Sequence, residues 1–87
     1  MISEEAAREM ATAIRRKRGT DFSLAATGNL GPDPMEDKRV GLIYMAVDWE
    51  RETISRGKIF EGDREEIKYQ AAISALELLR EVVEVWA

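Results

Sequence analysis

The run Leu24-Ala25-Ala26-Thr27-Gly28-Asn29-Leu30-Gly31-Pro32, with its exit at Lys38-Arg39-Val40-Gly41, constrains this chain more than any other stretch. A short apolar segment ends in a hydroxyl residue, two glycines and a proline; a charged loop follows, and a second apolar segment begins at Val40. Pro32 and Pro34 cannot donate to a ladder, so neither belongs inside a central strand, and the chain must break here between two extended elements. Glycine permits positive φ and close main-chain approach. The break has two readings: a β-turn built from ordinary turn residues, or a concavity of consecutive N–H groups that suits a phosphate or carboxylate oxygen.

On either side of the break the pattern alternates between helix and strand signals. Ser3 reads as an N-cap with Glu4 and Glu5 in the first turn, where carboxylates meet the positive helix end. Ala6, Ala7, Met10, Ala11, Ala13 and Ile14 fall at helical spacing against Arg8, Glu9, Arg15 and Arg16, and Gly19 ends the helix. Phe22–Ala26 is nearly continuous in apolar character, as in a strand covered on both faces. Val40–Val47 reads the same way, Asp48–Arg51 is a polar turn, and Thr53–Phe60 alternates as a strand solvated on one face and antiparallel to its predecessor. Asp63 and Glu66 stand in capping-box spacing. The helix they open runs to the C-terminus with two apolar stripes, Ile67, Ala71, Ser74, Ala75, Leu78, Val82, Val85 and Ala72, Ile73, Leu76, Leu79, Val83, Trp86. The expected fold is α/β: one domain over residues 1–87, a small three-stranded mixed sheet and two packed helices in the order α-β-β-β-α. Its expected core is Ala6, Ala7, Met10, Ile14, Leu24, Ala26, Leu42, Tyr44, Ala46, Ile54, Ala72, Leu76 and Leu79.

Composition excludes several functions. A chain of 87 residues with net charge −4 lacks the basic face a nucleic-acid binder needs. The basic cluster Arg15–Arg18 sits at a helix end, where positive charge complements the dipole. With neither His nor Cys, a zinc site of the usual ligands and any His-based general base or triad are ruled out, and no metal or cofactor is expected. The absence of cysteine is compatible with a reducing compartment. There is no signal-peptide pattern at Met1 and no apolar run of about 18 residues, so the expectation is a cytoplasmic protein with no membrane partner.

Thr27-Gly28-Asn29-Leu30-Gly31-Pro32, Lys38-Arg39-Val40-Gly41-Leu42-Ile43-Tyr44, Phe60-Glu61-Gly62-Asp63-Arg64 and Gln70-Ala71-Ala72 together resemble the C-terminal half of the CinA C-terminal domain. This is the nicotinamide-nucleotide amidohydrolase (NMN deamidase) family associated with competence and damage-inducible proteins. The family pattern is Ser or Thr followed by G-I-A-G-P, then K-P-V-G with a strand, then F-x-G-D-R and a helix with R-x-Q-A. Ile2-Ser3-Glu4-Glu5 and Ala7-Arg8-Glu9-Met10 fit the helix that precedes the loop. Asn29-Leu30 replaces Ile-Ala, Arg39 stands where Pro is usual, Pro34-Met35-Glu36 occupies a Gly-rich tip, and Tyr69 replaces the second Arg. The family domain is close to twice this length. Its other half carries E-S-C-T-G-G and Y-S-N-x-x-K segments with the candidate nucleophile Ser and its Tyr and Lys helpers, and neither occurs in these 87 residues.

The resemblance implies that the Thr27 hydroxyl and the Gly28 and Gly31 amides meet a substrate phosphate or ribose, with Lys38 at the loop exit and Arg64 supplying charge. Arg64 suits a phosphate through paired, charge-assisted hydrogen bonds, and a helix starting at Asp63 aims N–H groups at an anion. Each has a plainer role beside it: Asp63 as helix cap, Arg64 as a surface ion pair, Lys38 as a solvated loop charge, Tyr44 as core. No residue stands in a catalytic setting, because amide hydrolysis needs an activated nucleophile and a proton for the leaving nitrogen. Three readings stay open: a truncated module that binds a phosphate-bearing nucleotide without catalysis, part of a nicotinamide-nucleotide amidohydrolase completed by another segment, or a structural and oligomerising module. The expected partners are a mononucleotide ligand and a second copy of the chain, as a homodimer or higher homo-oligomer.

Overall fold

The computed structural model describes residues 3–29 and 41–86, with side chains as far as Val85. Five elements follow in order: α1 (Glu4–Arg18), β1 (Phe22–Gly28), β2 (Leu42–Trp49), β3 (Thr53–Ile59) and α2 (Arg64–Trp86). The first helix is bounded as its sequence predicts. The Ser3 hydroxyl accepts from the Ala6 amide, and Gly19, at φ 66°, donates its own amide to the Arg15 carbonyl. That left-handed residue is the one place where α1 needs glycine to stop.

The three strands form one sheet in the order β1-β2-β3, and both pairs are antiparallel. The sheet is therefore not mixed as expected. A parallel neighbour needs a crossover connection, usually helical. Here both helices lie outside the strand run, so consecutive strands reverse direction. Strand β1 extends past Ala26 because Thr27 and Gly28 pair with Tyr44 and Ile43. Strand β2 runs from Leu42 through Asp48 and Trp49; the expected start, Val40, lies outside the described residues. The Trp49 amide donates to the Glu52 carbonyl and closes the hairpin to β3 at this point.

One helix covers each face of the sheet, giving three layers. On one face Ala7 and Ala11 pack on Ala25 and Ala46, with Tyr44 half-buried beside them. Methyl side chains let the helix lie close enough for polar bonds to reach across. Arg15 Nε donates to Asp48 Oδ2 at 2.7 Å, the Thr53 hydroxyl donates to Asp48 Oδ1, Arg8 donates to the Ser55 hydroxyl at 3.1 Å, and Ser55 in turn donates to Glu4. The Ser23 hydroxyl donates to the Ala11 carbonyl. Helix α1 thus buries Ala7 and Ala11 of the expected face but is rotated so that Glu4, Arg8, Thr12 and Arg15 reach the sheet while Met10 and Ile14 stay about 40 % exposed. The competing principle is the sheet's own polarity: Ser23, Asp48, Thr53 and Ser55 all face α1, and buried polar groups must be paired.

The opposite face holds the main core. Ile43, Met45, Val47 and Trp49 of β2 pack with Phe60, Ile67, Ala75, Leu78 and Val82, and Phe22, Leu24, Ile54, Ala71 and Leu79 close around them. The stripe that α2 buries is the one beginning at Ile67. Expected core residues Met10, Ile14, Ala26, Ala72 and Leu76 are exposed instead, Leu76 by 58 %. Ala6, Leu24, Leu42, Tyr44, Ile54 and Leu79 are only half-buried. Both stripes of α2 are apolar, so periodicity alone does not choose between them. The contact with Ile43, Met45 and Val47 of β2 does.

Candidate functional site

Thr27 and Gly28 end β1, opposite Tyr44 and Ile43 of β2. Beyond them the Asn29 amide donates to the Leu42 carbonyl at 3.1 Å and the Gly41 amide donates to the Asn29 carbonyl at 2.7 Å, which ties the two ends of the loop together. Asn29 is fully buried, a polar anchor where the family pattern has Ile. The Gly41 carbonyl accepts from the Phe60 amide at 2.9 Å, so the loop base, β2 and the start of the Phe60–Arg64 motif are joined through backbone bonds.

Two of the glycines are required by packing. A Cβ on Gly28 would lie 2.2 Å from Ile43 Cδ1 and 2.6 Å from the Leu42 carbonyl oxygen; on Gly41, at φ 88°, it would lie 2.1 Å from the Phe60 carbonyl oxygen. Gly31 and Lys38 lie outside the described residues.

Beside Thr27 and Gly28 an open cleft of about 290 Å³ runs between the sheet and α2, walled by Ala26, Ile43, Ala71, Ala72 and Ala75, with Lys68 as its one charged residue among the described residues. Helix α2 barely touches β1, and the small side chains on both sides leave the space. Its volume lies at the low end of the about 300–1,000 Å³ of small-molecule pockets. Lys68 was not picked out by the sequence reading, although it sits four residues after Arg64. That spacing puts the two cations on one helix face about 6 Å apart along the axis. Arg64 itself does not line the cleft; it lies one turn nearer the helix start.

The N-terminus of α2 is occupied from within. The Glu66 amide donates to Asp63 Oδ1 at 2.9 Å and the Asp63 amide donates to Glu66 Oε1 at 3.0 Å, a reciprocal capping box. Gln70 Nε2 reaches the Glu61 carbonyl at 2.8 Å and braces the turn. Asp63, Glu65 and Glu66 therefore surround the helix start with negative charge, which opposes the anion expected there. Asp63 is a cap, and among the described residues no group of acidic side chains is gathered as a metal site requires. Nor is any helix long and apolar enough to cross a membrane.

A three-layer unit with a small-residue cleft at the end of its first strand is what these residues build. The CinA C-terminal domain family matches residues 1–83. A CinA-like protein of Syntrophotalea carbinolica is 44 % identical over 80 residues, 91 % of this chain and 19 % of that protein. The solved competence damage-inducible protein A of Klebsiella pneumoniae superposes with a TM-score of 0.93 at 30 % identity, over 99 % of this chain and 54 % of that one. A CinA superfamily protein of Escherichia coli gives a TM-score of 0.88 at 32 % identity, over 93 % of this chain and 48 % of that one. The chain belongs to the CinA C-terminal domain family. It spans about half the length of these solved relatives and about a fifth of the curated ones.

Proposed function

We propose that this chain is a nucleotide-holding part of a CinA C-terminal domain, binding a phosphate-bearing mononucleotide of the nicotinamide type and not hydrolysing it unaided. The observation that carries this reading is the cleft that brings Thr27 and Gly28 together with Lys68. Its alanine and isoleucine walls suit the flat face of a ring. The Lys68 ammonium, with Arg64 one turn away, suits a phosphate as a charge. Hydrolysis is a separate matter, because the chain has no His or Cys and no residue set to deliver a nucleophile and protonate a leaving nitrogen. An amidohydrolase site would arise only when another segment adds those groups.

A structural reading competes, and the tight packing around Gly28 and Gly41 favours it: both glycines are needed whether or not a ligand is present. Amide-shift titration with nicotinamide mononucleotide separates the two. Nucleotide binding predicts shifts confined to Ala26–Asn29 and the first turns of α2, reduced by Lys68→Ala and Arg64→Ala. Shifts scattered over the surface, or indifferent to both variants, leave the loop a turn. The 87-residue chain should release no ammonia from this nucleotide above a control without protein; release abolished by Thr27→Ala would overturn the non-catalytic reading.

A further inference from the structure

The Gln70 side chain makes two bonds from one amide group. Its Nε2 donates to the Glu61 carbonyl at 2.8 Å and to the Glu66 carbonyl at 3.2 Å. Glu66 belongs to α2 and stands one turn before Gln70, whereas Glu61 lies in the connection from β3, outside the helix. The side chain therefore ties α2 to the chain that enters it. Helix capping does not call for this tie, because the Glu66 and Ile67 amides are already taken by the Asp63 side chain and carbonyl. The residue before Glu61 is firmly held. Phe60 is buried, its amide donates to the Gly41 carbonyl at 2.9 Å, and the Lys58 ammonium stands 5.7 Å from the centre of its ring. Glu61 is thus a fixed point next to the loop base.

We infer that Gln70 is the positioning residue of the cleft beside Thr27 and Gly28, and that it sets the placement of the Lys68 ammonium for a nucleotide phosphate. This rests on the nucleotide reading of that cleft. Lys68 and Gln70 stand about 200° apart around the helix axis, so they occupy opposite flanks of α2. Lys68 lines the cleft on one flank, and Gln70 reaches the connection from β3 on the other. Between them Ile67 is buried in the core on β2. Apolar contacts carry no direction, so they resist a roll of the helix about its axis less than a directional bond does. A bond on one flank stops the roll and thereby fixes how far the other flank stands from Thr27 and Gly28. A second tie on the Gln70 flank, Arg56 to Glu81 at 3.0 Å, lies about three turns further along. Both of its side chains are exposed, which makes it weak. The Gln70 bond is half-buried and sits level with the cleft. A site gains affinity when its binding group is held in place before the ligand arrives.

The test is amide-shift titration with nicotinamide mononucleotide, at low and high salt, of the wild-type chain, Gln70→Met and Lys68→Ala. Methionine matches glutamine in length and helix preference but has no N–H to donate. Gln70→Met should raise the Kd by about three- to tenfold and keep the salt sensitivity of the wild type, because Lys68 is still present. Lys68→Ala should raise the Kd and lose most of that sensitivity. In nucleotide-free Gln70→Met the Asp63 and Glu66 amides, which form the capping box, should exchange faster, while the amide of buried Leu78 exchanges as in the wild type. An unchanged Kd in Gln70→Met overturns the inference and leaves the nucleotide reading standing. So does a weaker Kd accompanied by equally faster exchange at Leu78, which would make Gln70 a stability residue alone. A wild-type chain that shows no shifts confined to the cleft removes the nucleotide reading itself, and the positioning role with it.

Discussion

Replacing Asp48 by Asn removes one charge with almost no change of volume, and the structure sets the size of the effect. Asp48 is 4 % exposed. It takes a charged hydrogen bond from Arg15 Nε at 2.7 Å and another from the Thr53 hydroxyl. Hydrogen bonds to charged groups contribute about 1.5–3 kcal/mol each, and removing one partner of a fully buried pair costs about 3–5 kcal/mol. The Arg15 side chain keeps 27 % exposure and can turn to water, and Asn still accepts one bond, so the loss falls near about 2 kcal/mol at neutral pH. In a chain of this size that lowers the thermal midpoint by about 8–16 °C. The effect has a pH signature. Burial by itself would raise the Asp48 carboxyl, but the hydrogen bonds from Thr53 and Arg15, the Arg15 charge and Thr12 outweigh it, and the carboxyl is held below its ordinary value. A carboxyl with a depressed folded value stabilises fully above the unfolded value of about 3.9, and this contribution is lost as pH falls through the folded value. Urea unfolding of both proteins from neutral pH down to about pH 2.5 should show a gap that is constant above pH about 5 and narrows below about 4. A gap that does not depend on pH, or no gap at neutrality, would refute the assignment of Asp48 as the anchor of α1.

Leu78→Ala should cost about 2–5 kcal/mol, while Leu76→Ala, two positions away, should stay within about 0.5 kcal/mol; equal losses would mean that α2 buries both stripes. Gly28→Ala forces a methyl against Ile43 and the Leu42 carbonyl and should cost about 1–3 kcal/mol by thermal unfolding, an unchanged midpoint counting against the close strand contact. Asp63→Ala removes one side of the capping box, and about 1 kcal/mol should appear as faster amide exchange confined to the first turn of α2.

Local signals were legible where one residue decides one feature. Ser3 and Gly19 bound α1, and Asp63 with Glu66 caps α2, because each forms bonds with its own near neighbours in sequence. What depends on distant partners was not. Thr27 and Gly28 read as turn residues, yet Tyr44 and Ile43 hold them in the ladder; Asp48 read as turn, yet Arg15, thirty-three residues away, keeps it in β2. The spacing sets Arg8 and Arg15 opposite the apolar residues of α1, and nothing local announces that Ser55, Thr53 and Asp48 lie within their reach. At the candidate site, Thr27 and Gly28 do meet a cleft, but Lys68 enters it through the crossing of α2 over the sheet, which no motif records. Arg64 was carried by the family pattern, and the structure sets it one turn outside.

The two outer layers are fastened to the sheet by unlike forces. Layer α1 is held by directional bonds to carboxylate and hydroxyl oxygens over a bed of methyl groups, layer α2 by Ile, Leu, Val and Trp surfaces withdrawn from water. Apolar attachment weakens on cooling, whereas a partly buried ion pair is little screened by salt and fails only when its carboxylate is protonated. Solvent conditions therefore choose which layer lets go first: chilling loosens α2 while α1 stays fastened, and acid frees α1 from a sheet that α2 still grips.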